Sequence, residues 1–420
     1  MDALAINGGP KVRQAPWVSE FQGVEAIGQE EKDRILNVLN KKRIFRYLGR
    51  GYEESEAYQL EQEYKELTGC GYALAVNSGT SALISALVGL GVGPGDEVIL
   101  PAFAWVATVS AILEVNAVPV LCEMDASLTL DPVDLERKIT QRTKAVIAVH
   151  MRGISCDMDP ILAIANRHGI AVLEDAAQSN GGSYKGRSLG SMGSAGCFSL
   201  QQYKIVTSGE GGVVVTNDET VWQRAALYHD CGRNPFNYDE LKIATFAGQN
   251  YRITELQAAL CLGQMERMQE IISAMRVQKQ RIVAGLANVP GITMSSVFGS
   301  ERDLGVSAVF TLPSSEKAME VQQALEAEGI PCGVIYRPDA QNLHIYSFWD
   351  FLMDKRDAWG KGHPWSSGVY TGDIEYNRDM CPQTLDILGR AIQVRLNQYV
   401  KDQDSDDLVA AVTKVASHIL

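Results

Sequence analysis

Residues 145–178, AVIAVHMRGISCDMDPILAIANRHGIAVLEDAAQ, decide the fold. Ala145–His150 reads as a strand, an apolar run closed by His150, Asp159–His168 has helical spacing, and Ile170–Glu174 is a second apolar run that ends in the acids Glu174 and Asp175. The same alternation extends outward on both sides. Upstream, Tyr72–Asn77 reads as a strand, Ser81–Leu90 as a small-residue helix ended by Gly91, Val98–Leu100 as a strand, Trp105–Glu114 as a helix and Pro119–Cys122 as a strand. Asp131–Ile139 follows as a helix opened by an Asp131 cap and Pro132 in its first turn. Downstream, Cys197–Leu200 and Val213–Thr216 are further strands. Short strands alternating with helices predict an α/β fold, a mostly parallel sheet covered on both faces.

Past Asn217 the pattern changes. Glu219–Tyr228 is helical, Asn234–Gly248 is an irregular loop, and Thr254–Leu286 is a long helical stretch. Strand-like pieces (Val306–Leu312, Cys332–Val334) and helices (Glu316–Glu328, Ser405–His418, the last capped by Ser405) complete the chain. This predicts two units: residues 1–264, an N-terminal segment and a large domain, and residues 265–420, a smaller C-terminal α+β domain. The N-terminal segment holds helical patterns at Gly28–Leu39 and Glu53–Leu67 around a basic-aromatic stretch, KKRIFRYLGRGY (41–52).

Of 420 residues, 38 are basic and 51 acidic, a net charge of −13; 46% are apolar and 21% charged. Such a chain can bury a large core, which excludes general disorder. The acidic balance argues against a nucleic-acid partner, which needs a basic face; an anionic small molecule needs only a local cluster of donors. Eight scattered cysteines without a CxxC pair read as reduced thiols in a cytoplasmic protein. Six histidines without HExxH spacing give no metal site. The N-terminus lacks the apolar core of a signal peptide, and the most apolar stretch, Val98–Cys122, is interrupted by Pro101, Glu114, Asn116 and Pro119, so no membrane span is expected.

Four segments carry chemistry. Asn77-Ser78-Gly79-Thr80-Ser81 lies between a strand and a helix, where free backbone N–H groups form a ready phosphate site; alone, it reads first as an ordinary helix cap. Leu173-Glu174-Asp175-Ala176-Ala177-Gln178 puts an acid at a strand's carboxyl end, where ligands of open α/β sheets bind; alone, Asp175 is equally a cap. Phe198-Ser199-Leu200-Gln201-Gln202-Tyr203-Lys204, followed by Gly209-Glu210-Gly211-Gly212, brings a strand into a lysine that a crevice could activate; alone, Lys204 is one basic residue among 38. Gln249-Asn250-Tyr251-Arg252-Ile253-Thr254 opens the long helical stretch and alone is a polar cap. Together the segments match one cofactor. Pyridoxal 5'-phosphate (PLP) needs a phosphate cup, an acid at its ring nitrogen, a flat residue over the ring and a lysine for its aldehyde. Trp105, just after a strand, is the candidate for the ring face, or else a core aromatic.

In the order and spacing of NSGTSAL, GPGDEVILPAFAWVAT, TKAVIAVHMRG, LEDAAQSNGGSYKGRSLGSMG, CFSLQQYKIVTSGEGG and NYRITELQAAL, the chain resembles the DegT/DnrJ/EryC1/StrS family of sugar aminotransferases over roughly residues 5–418. The resemblance implies a fold type I PLP transferase. It implies that Lys204 bonds to the cofactor aldehyde and shuttles protons, that Asp175 pairs with the ring nitrogen, and that Gln178 lies near the ring. Trp105 would stack on the ring, and Gly79, Thr80 and Ser199 would hold the phosphate. Asn250 would reach the phosphate from a neighbouring subunit, since the family's sites form at a homodimer interface. The implied reaction moves an amino group from glutamate or glutamine to a keto or aldehyde group of a sugar, sugar acid or cyclitol. Family members with histidine at the lysine position are dehydratases, and some lysine-bearing relatives aromatise an amino-cyclohexenone. A PLP dehydratase or lyase is therefore the alternative enzyme, and a non-catalytic sensory protein on the same fold the alternative of another class.

For the substrate's carboxylate, Arg46, Arg50, Arg233, Arg252 and Arg337 are the candidate cations, and His229 and His344 candidate substrate contacts. Ile44-Phe45-Arg46-Tyr47 and Asn342-Leu343-His344 resemble the branch that aminates C8 of a dideoxy-octulosonate. Cys381-Pro382-Gln383-Thr384-Leu385-Asp386 resembles the scyllo-inosose aminotransferases.

Overall fold

The computed structural model describes residues 3–18, 22–47, 54–234 and 241–420. Strands β1 (Tyr72–Val76), β2 (Glu97–Pro101), β3 (Val118–Cys122), β4 (Thr143–Val149) and β5 (Ala171–Asp175) are followed by a hairpin of β6 (Ser183–Tyr184) and β7 (Arg187–Ser188), then by β8 (Ala195–Ser199) and β9 (Gly212–Thr216). All but the hairpin join a seven-stranded sheet in the order β1-β9-β8-β5-β4-β2-β3. The pairs from β8 through β5, β4 and β2 to β3 are parallel, whereas β9 runs antiparallel to both β8 and β1. The expected mostly parallel sheet is what the chain forms. One reversed strand leaves the carboxyl ends of β1, β8, β5 and β4 on a single edge.

The unbroken apolar runs have a physical cause. Side chains alternate across a strand, and both faces of this sheet are covered. Along β4, Ala145, Ile147 and Val149 enter one core, and Val146 and Ala148 enter the other. The first core is closed by Leu83 and Leu87 of helix Gly79–Gly89 and by Val109 and Ile112 of helix Val106–Glu114. The second is closed by Leu60 and Tyr64 of helix Glu56–Thr68 and by Ile161 and Ile164 of helix Met158–His168. Each such aliphatic side chain, fully buried, contributes on the order of 1.5–3 kcal/mol.

The remaining strands, β10 (Ser307–Thr311), β11 (Gly333–Val334) and β12 (Ala391–Arg395), form an antiparallel sheet in the order β10-β12-β11. Phe310, Ile392 and Val394 pack there with Leu325 of helix Ser315–Ala327 and with Leu408 and Val412 of helix Asp402–Ile419. Leu4 joins this third core from the N-terminal segment, while Ile345, Trp349, Leu352, Tyr376 and Leu388 return to the first core. We propose a boundary between residues 264 and 265, with both of these segments crossing it.

Three details differ from the sequence reading. The stretch 254–286 is two helices, Glu255–Met265 and Met268–Leu286; between them Arg267 is tied to Glu30, Glu31 and the Ala26 carbonyl. The last helix begins at Asp402, where Asp404 accepts the Lys401 N–H at 2.7 Å. Ser405 lies buried within it, donating to Gln278 at 2.8 Å, and is not its cap. Helix Pro382–Arg390 and strand β12 were not expected; a five-residue AIQVR strand carries too little pattern to read alone.

Candidate active site

A cavity of about 700 Å³ opens at the carboxyl ends of β1, β8, β5 and β4, facing β12 of the small sheet. Its deepest acid is Asp175, the last residue of β5, which is 5% exposed. Strand alternation separates the two neighbouring acids. Asp175 faces the cavity, while Glu174 is fully buried, accepts the N–H groups of Gly190, Met192 and Gly193 at 2.8, 2.6 and 2.7 Å, and lies 3.0 Å from His150 Nε2. Since His150 Nδ1 accepts the Cys156 N–H at 3.1 Å, its Nε2–H is the donor to Glu174. Asp175 accepts from the Thr108 hydroxyl at 3.0 Å and from the Ala177 N–H at 3.1 Å. Burial raises its carboxyl above the ordinary value, opposed by those two hydrogen bonds and by Lys204.

Lys204 sits in the turn after β8, its N–H donating to the Gln201 carbonyl at 2.9 Å. Its side chain lines the same cavity, and among the described residues its ammonium has no hydrogen bond or ion pair. Burial lowers its pKa from the ordinary lysine value; Asp175 and Glu210 oppose the shift and Arg152 adds to it.

The N-terminus of helix Gly79–Gly89 meets the end of β8 at the cavity. Ser78 caps the helix by accepting the Ser81 N–H at 3.0 Å, and the Gly79 and Thr80 N–H groups lie in the first turn, which has no intrahelical acceptors for them. The approach to β8 is close enough to need glycine: a Cβ on Gly79 would lie 2.8 Å from the Ser199 Cβ. Gly212 of β9 is equally confined, with a Cβ position 2.4 Å from the Ser78 carbonyl oxygen.

Trp105 caps helix Val106–Glu114 and stays 44% exposed on the cavity wall. His344 packs against it, ring centroids 4.8 Å apart, held by a bridge from Ile345 to Phe103 and by the Ala104 N–H donating to the His344 carbonyl at 2.9 Å. Burial, then Arg152, Lys204 and Arg395, pushes the His344 pKa down to about 2, so the ring is neutral. Gln178 accepts the Arg152 N–H at 3.2 Å.

The fold thus brings Gly79, Thr80, Trp105, Asp175, Gln178, Ser199 and Lys204 to one cavity. It does not bring Asn250 there within its own chain: that residue is exposed and bridges Asp230. The candidate cations lie elsewhere. Arg46 is buried, bonded to Glu61 at 2.5 Å and to the Ala75 carbonyl at 2.6 Å. Arg233 and Arg252 pair with Asp230, and Arg337 pairs with Asp339. Arg50 lies outside the described residues. His229 is buried, taking the Tyr47 hydroxyl at Nε2 (2.8 Å) and bonding the Ala226 carbonyl through Nδ1. The arginines that do line the cavity, Arg152 and Arg395, were not singled out from sequence, nor was Thr108. Among the described residues no group of three or more His, Cys, Asp or Glu could hold a metal, and no helix is long and apolar enough to cross a membrane.

Residues 25–353 match the model of the DegT/DnrJ/EryC1/StrS aminotransferase family. The chain belongs to this family. This DegT/DnrJ/EryC1/StrS aminotransferase is 33% identical over 436 residues to the L-glutamine:2-deoxy-scyllo-inosose aminotransferase of Streptoalloteichus tenebrarius, covering 99% of this chain and 98% of that one. The crystal structure of 3-amino-5-hydroxybenzoic acid synthase superposes with a TM-score of 0.79 at 26% identity, over 96% of this chain and 100% of that one. A putative sugar aminotransferase of Streptococcus pneumoniae in its PLP-form has the same fold (TM-score 0.75, 22% identity, covering 96% and 99%). The family is PLP-dependent. Of the two branches the sequence resembled, the S. tenebrarius relative belongs to the scyllo-inosose one.

Proposed function

We propose that the chain uses PLP to move the amino group of L-glutamine or L-glutamate onto a carbonyl carbon of a cyclitol, sugar or sugar acid. The observation that carries this reading is the convergence of a half-buried lysine with no ion pair among the described residues, a buried strand-end carboxylate and a helix N-terminus in one cavity. The donor set fits the cofactor. The first-turn N–H groups of Gly79 and Thr80 and the Ser199 hydroxyl suit a phosphate, Asp175 suits a protonated ring nitrogen, and Trp105 supplies a flat face. PLP supplies an aldehyde for amines and a ring that draws electrons from the adjacent carbon.

The rest is the work of the chain's own side chains. Asp175, held by Thr108 and Ala177, keeps a proton on the ring nitrogen. Lys204, its pKa lowered by burial, takes the proton from the amino donor's α-carbon and, in the return half of the reaction, delivers one to the acceptor's former carbonyl carbon. The S. tenebrarius relative's name supports L-glutamine as donor and a cyclitol ketone as acceptor. Asn250, exposed in its own chain, would reach the phosphate in a homodimer with shared sites.

The test is PLP-loaded protein given L-glutamine or L-glutamate alone, then with 2-deoxy-scyllo-inosose, keto-sugars or keto-sugar acids, with products read by mass spectrometry. A 2-keto acid from the donor alone and an aminated acceptor are expected. Absence of keto acid from every donor refutes transamination, and water loss from an acceptor in its place favours a dehydratase.

A further inference from the structure

The loop from Asn342 to Trp349 delivers one side chain to the active-site cavity, that of His344. Its backbone is tied down on both sides. The Ala104 N–H donates to the His344 carbonyl at 2.9 Å, the Tyr346 N–H to the Ala102 carbonyl at 3.0 Å, and the Trp349 indole N–H to the Leu343 carbonyl at 3.0 Å. Ile345 and Trp349 are fully buried. The half-buried imidazole then packs beside Trp105 and Phe103, with ring centroids 4.8 and 6.4 Å away.

Asn342 sets the tautomer of that ring. Its Oδ1 lies 3.1 Å from the His344 backbone N and 3.1 Å from His344 Nδ1, while its Nδ2 donates to the Ile335 carbonyl at 2.9 Å. A backbone N–H can only donate, so the amide oxygen must face it. Turning the amide over would set NH2 against N–H and lose the Ile335 bond. With an oxygen opposite, Nδ1 carries the ring proton. A neutral imidazole has one ring N–H, so Nε2 carries a lone pair. The ring stays neutral because burial, then Arg152, Lys204 and Arg395, oppose a second proton. Among the described residues Nε2 makes no hydrogen bond.

We propose that His344 Nε2 accepts a hydrogen bond from a donor group of the substrate, a hydroxyl or an amide N–H, and turns away a carboxylate or carbonyl oxygen at that point of the cavity. The inference rests on the aminotransferase reading and narrows it. Two substrate groups carry this chemistry: the ring hydroxyls of a sugar or cyclitol acceptor, and the side-chain amide of L-glutamine. An oxygen that only accepts would set lone pair against lone pair, so the atom that takes the amide of L-glutamine disfavours the side-chain carboxylate of L-glutamate. Trp105, which supplies the flat face for the cofactor, is the neighbour of His344, so the contact lies beside the cofactor ring. Asn342 is the positioning residue, because it decides which ring nitrogen is left to accept.

The experiment uses PLP-saturated protein with nitrogen-labelled histidine. Long-range proton–nitrogen spectra separate protonated from bare ring nitrogens, and the His344 signals are those lost in His344→Phe and His344→Gln. Wild type is expected to show a protonated Nδ1 and a bare Nε2 at neutral pH. Three probes follow: glutaramate and glutarate, the amide and acid analogues of the donors without an amine to react, and scyllo-inositol as the polyol. Nε2 is expected to move upfield with glutaramate or scyllo-inositol and to stay in place with glutarate. A shift with glutaramate alone assigns the contact to the donor, with scyllo-inositol alone to the acceptor, and with both to a shared contact. In calorimetric titrations His344→Phe, which keeps a flat ring without a nitrogen, should weaken the shifting probe about tenfold. His344→Gln, which offers an amide oxygen, should weaken it less than about threefold. A protonated Nε2 in wild type, an Nε2 signal that no probe moves or that glutarate moves as far as the others, or His344→Phe binding every probe as tightly as wild type overturns the proposal. Keto-acid release from L-glutamine by the wild type is followed separately. Its failure beside the expected Nε2 result sinks the aminotransferase reading alone, and the reverse pattern sinks this contact alone.

Discussion

Gly79→Ala tests the phosphate cup with one methyl group. The added Cβ would lie 2.8 Å from the Ser199 Cβ, 3.0 Å from its Oγ and 3.3 Å from its Cα. Ser199 cannot swing aside, because it ends β8 and is paired in register with Gly212 of β9. The helix end must therefore retreat from β8. Overpacking of this kind costs about 1–3 kcal/mol, and the better helix propensity of alanine returns at most ~0.5–1 kcal/mol, leaving a net loss centred on about 1 kcal/mol. Retreat also moves the Gly79 and Thr80 N–H groups away from Ser199, so PLP affinity should fall about tenfold, equivalent to ~1.4 kcal/mol. Urea unfolding of the cofactor-free protein gives the first number, and titration with PLP followed by tryptophan fluorescence gives the second. Gly93→Ala is the control, since nothing lies within 4 Å of its Cβ position. Equal unfolding midpoints and equal PLP affinities for the two variants would refute the close approach and the cup together.

Lys204→Ala should abolish turnover, and borohydride should fix the cofactor to the wild-type chain at residue 204 but not to the variant, as read by peptide mass spectrometry; label on another lysine would sink the assignment. Burial and nearby arginines hold the His229 pKa at about 3, below 6.5 in the unfolded chain. The unfolded state therefore binds more protons between those values, and stability rises with pH across that window. His229 should account for a loss of about 2 kcal/mol between pH 7.5 and pH 5, so His229→Asn should flatten the pH dependence by that amount in urea titrations, and an unchanged slope counts against a buried neutral imidazole. Glu174→Gln puts its NH2 group in place of a carboxylate oxygen that accepts two N–H groups, whichever way the amide turns, and should cost about 2–4 kcal/mol; a change under about 0.5 kcal/mol in unfolding free energy would contradict that network.

The main sheet was legible because its strands are buried on both faces and read as apolar runs that no polar alternation disguises. Seven candidate site residues meet in the cavity because they sit at strand ends or at a helix start, positions that local sequence marks. The misreadings have a common cause. Arg46 stands in a basic-aromatic run that looks solvent-facing, yet the fold turns it inward onto Glu61 and the Ala75 carbonyl. Arg152 and Thr108 carry no local mark at all. Thr108 reaches Asp175 because a helix crosses the sheet, and Arg152 shares a cavity with Arg395 because β12, distant in sequence, comes to the carboxyl ends of the large sheet. Contacts between elements far apart along the chain leave no trace in either element's own pattern.

The reversed strand β9 also imposes an order on biogenesis. β1 sits at the margin of the sheet, and its hydrogen-bonded neighbour there is β9, which is translated only after β2, β3, β4, β5 and β8. A nascent chain therefore carries β1 and the adjoining helix start without their strand partner until about half of the polypeptide has emerged, and late pairing of this kind slows folding and leaves apolar edges open to aggregation. Vitamin B6 loading at that helix start would wait for the closure, so cofactor capture would not precede the synthesis of β9.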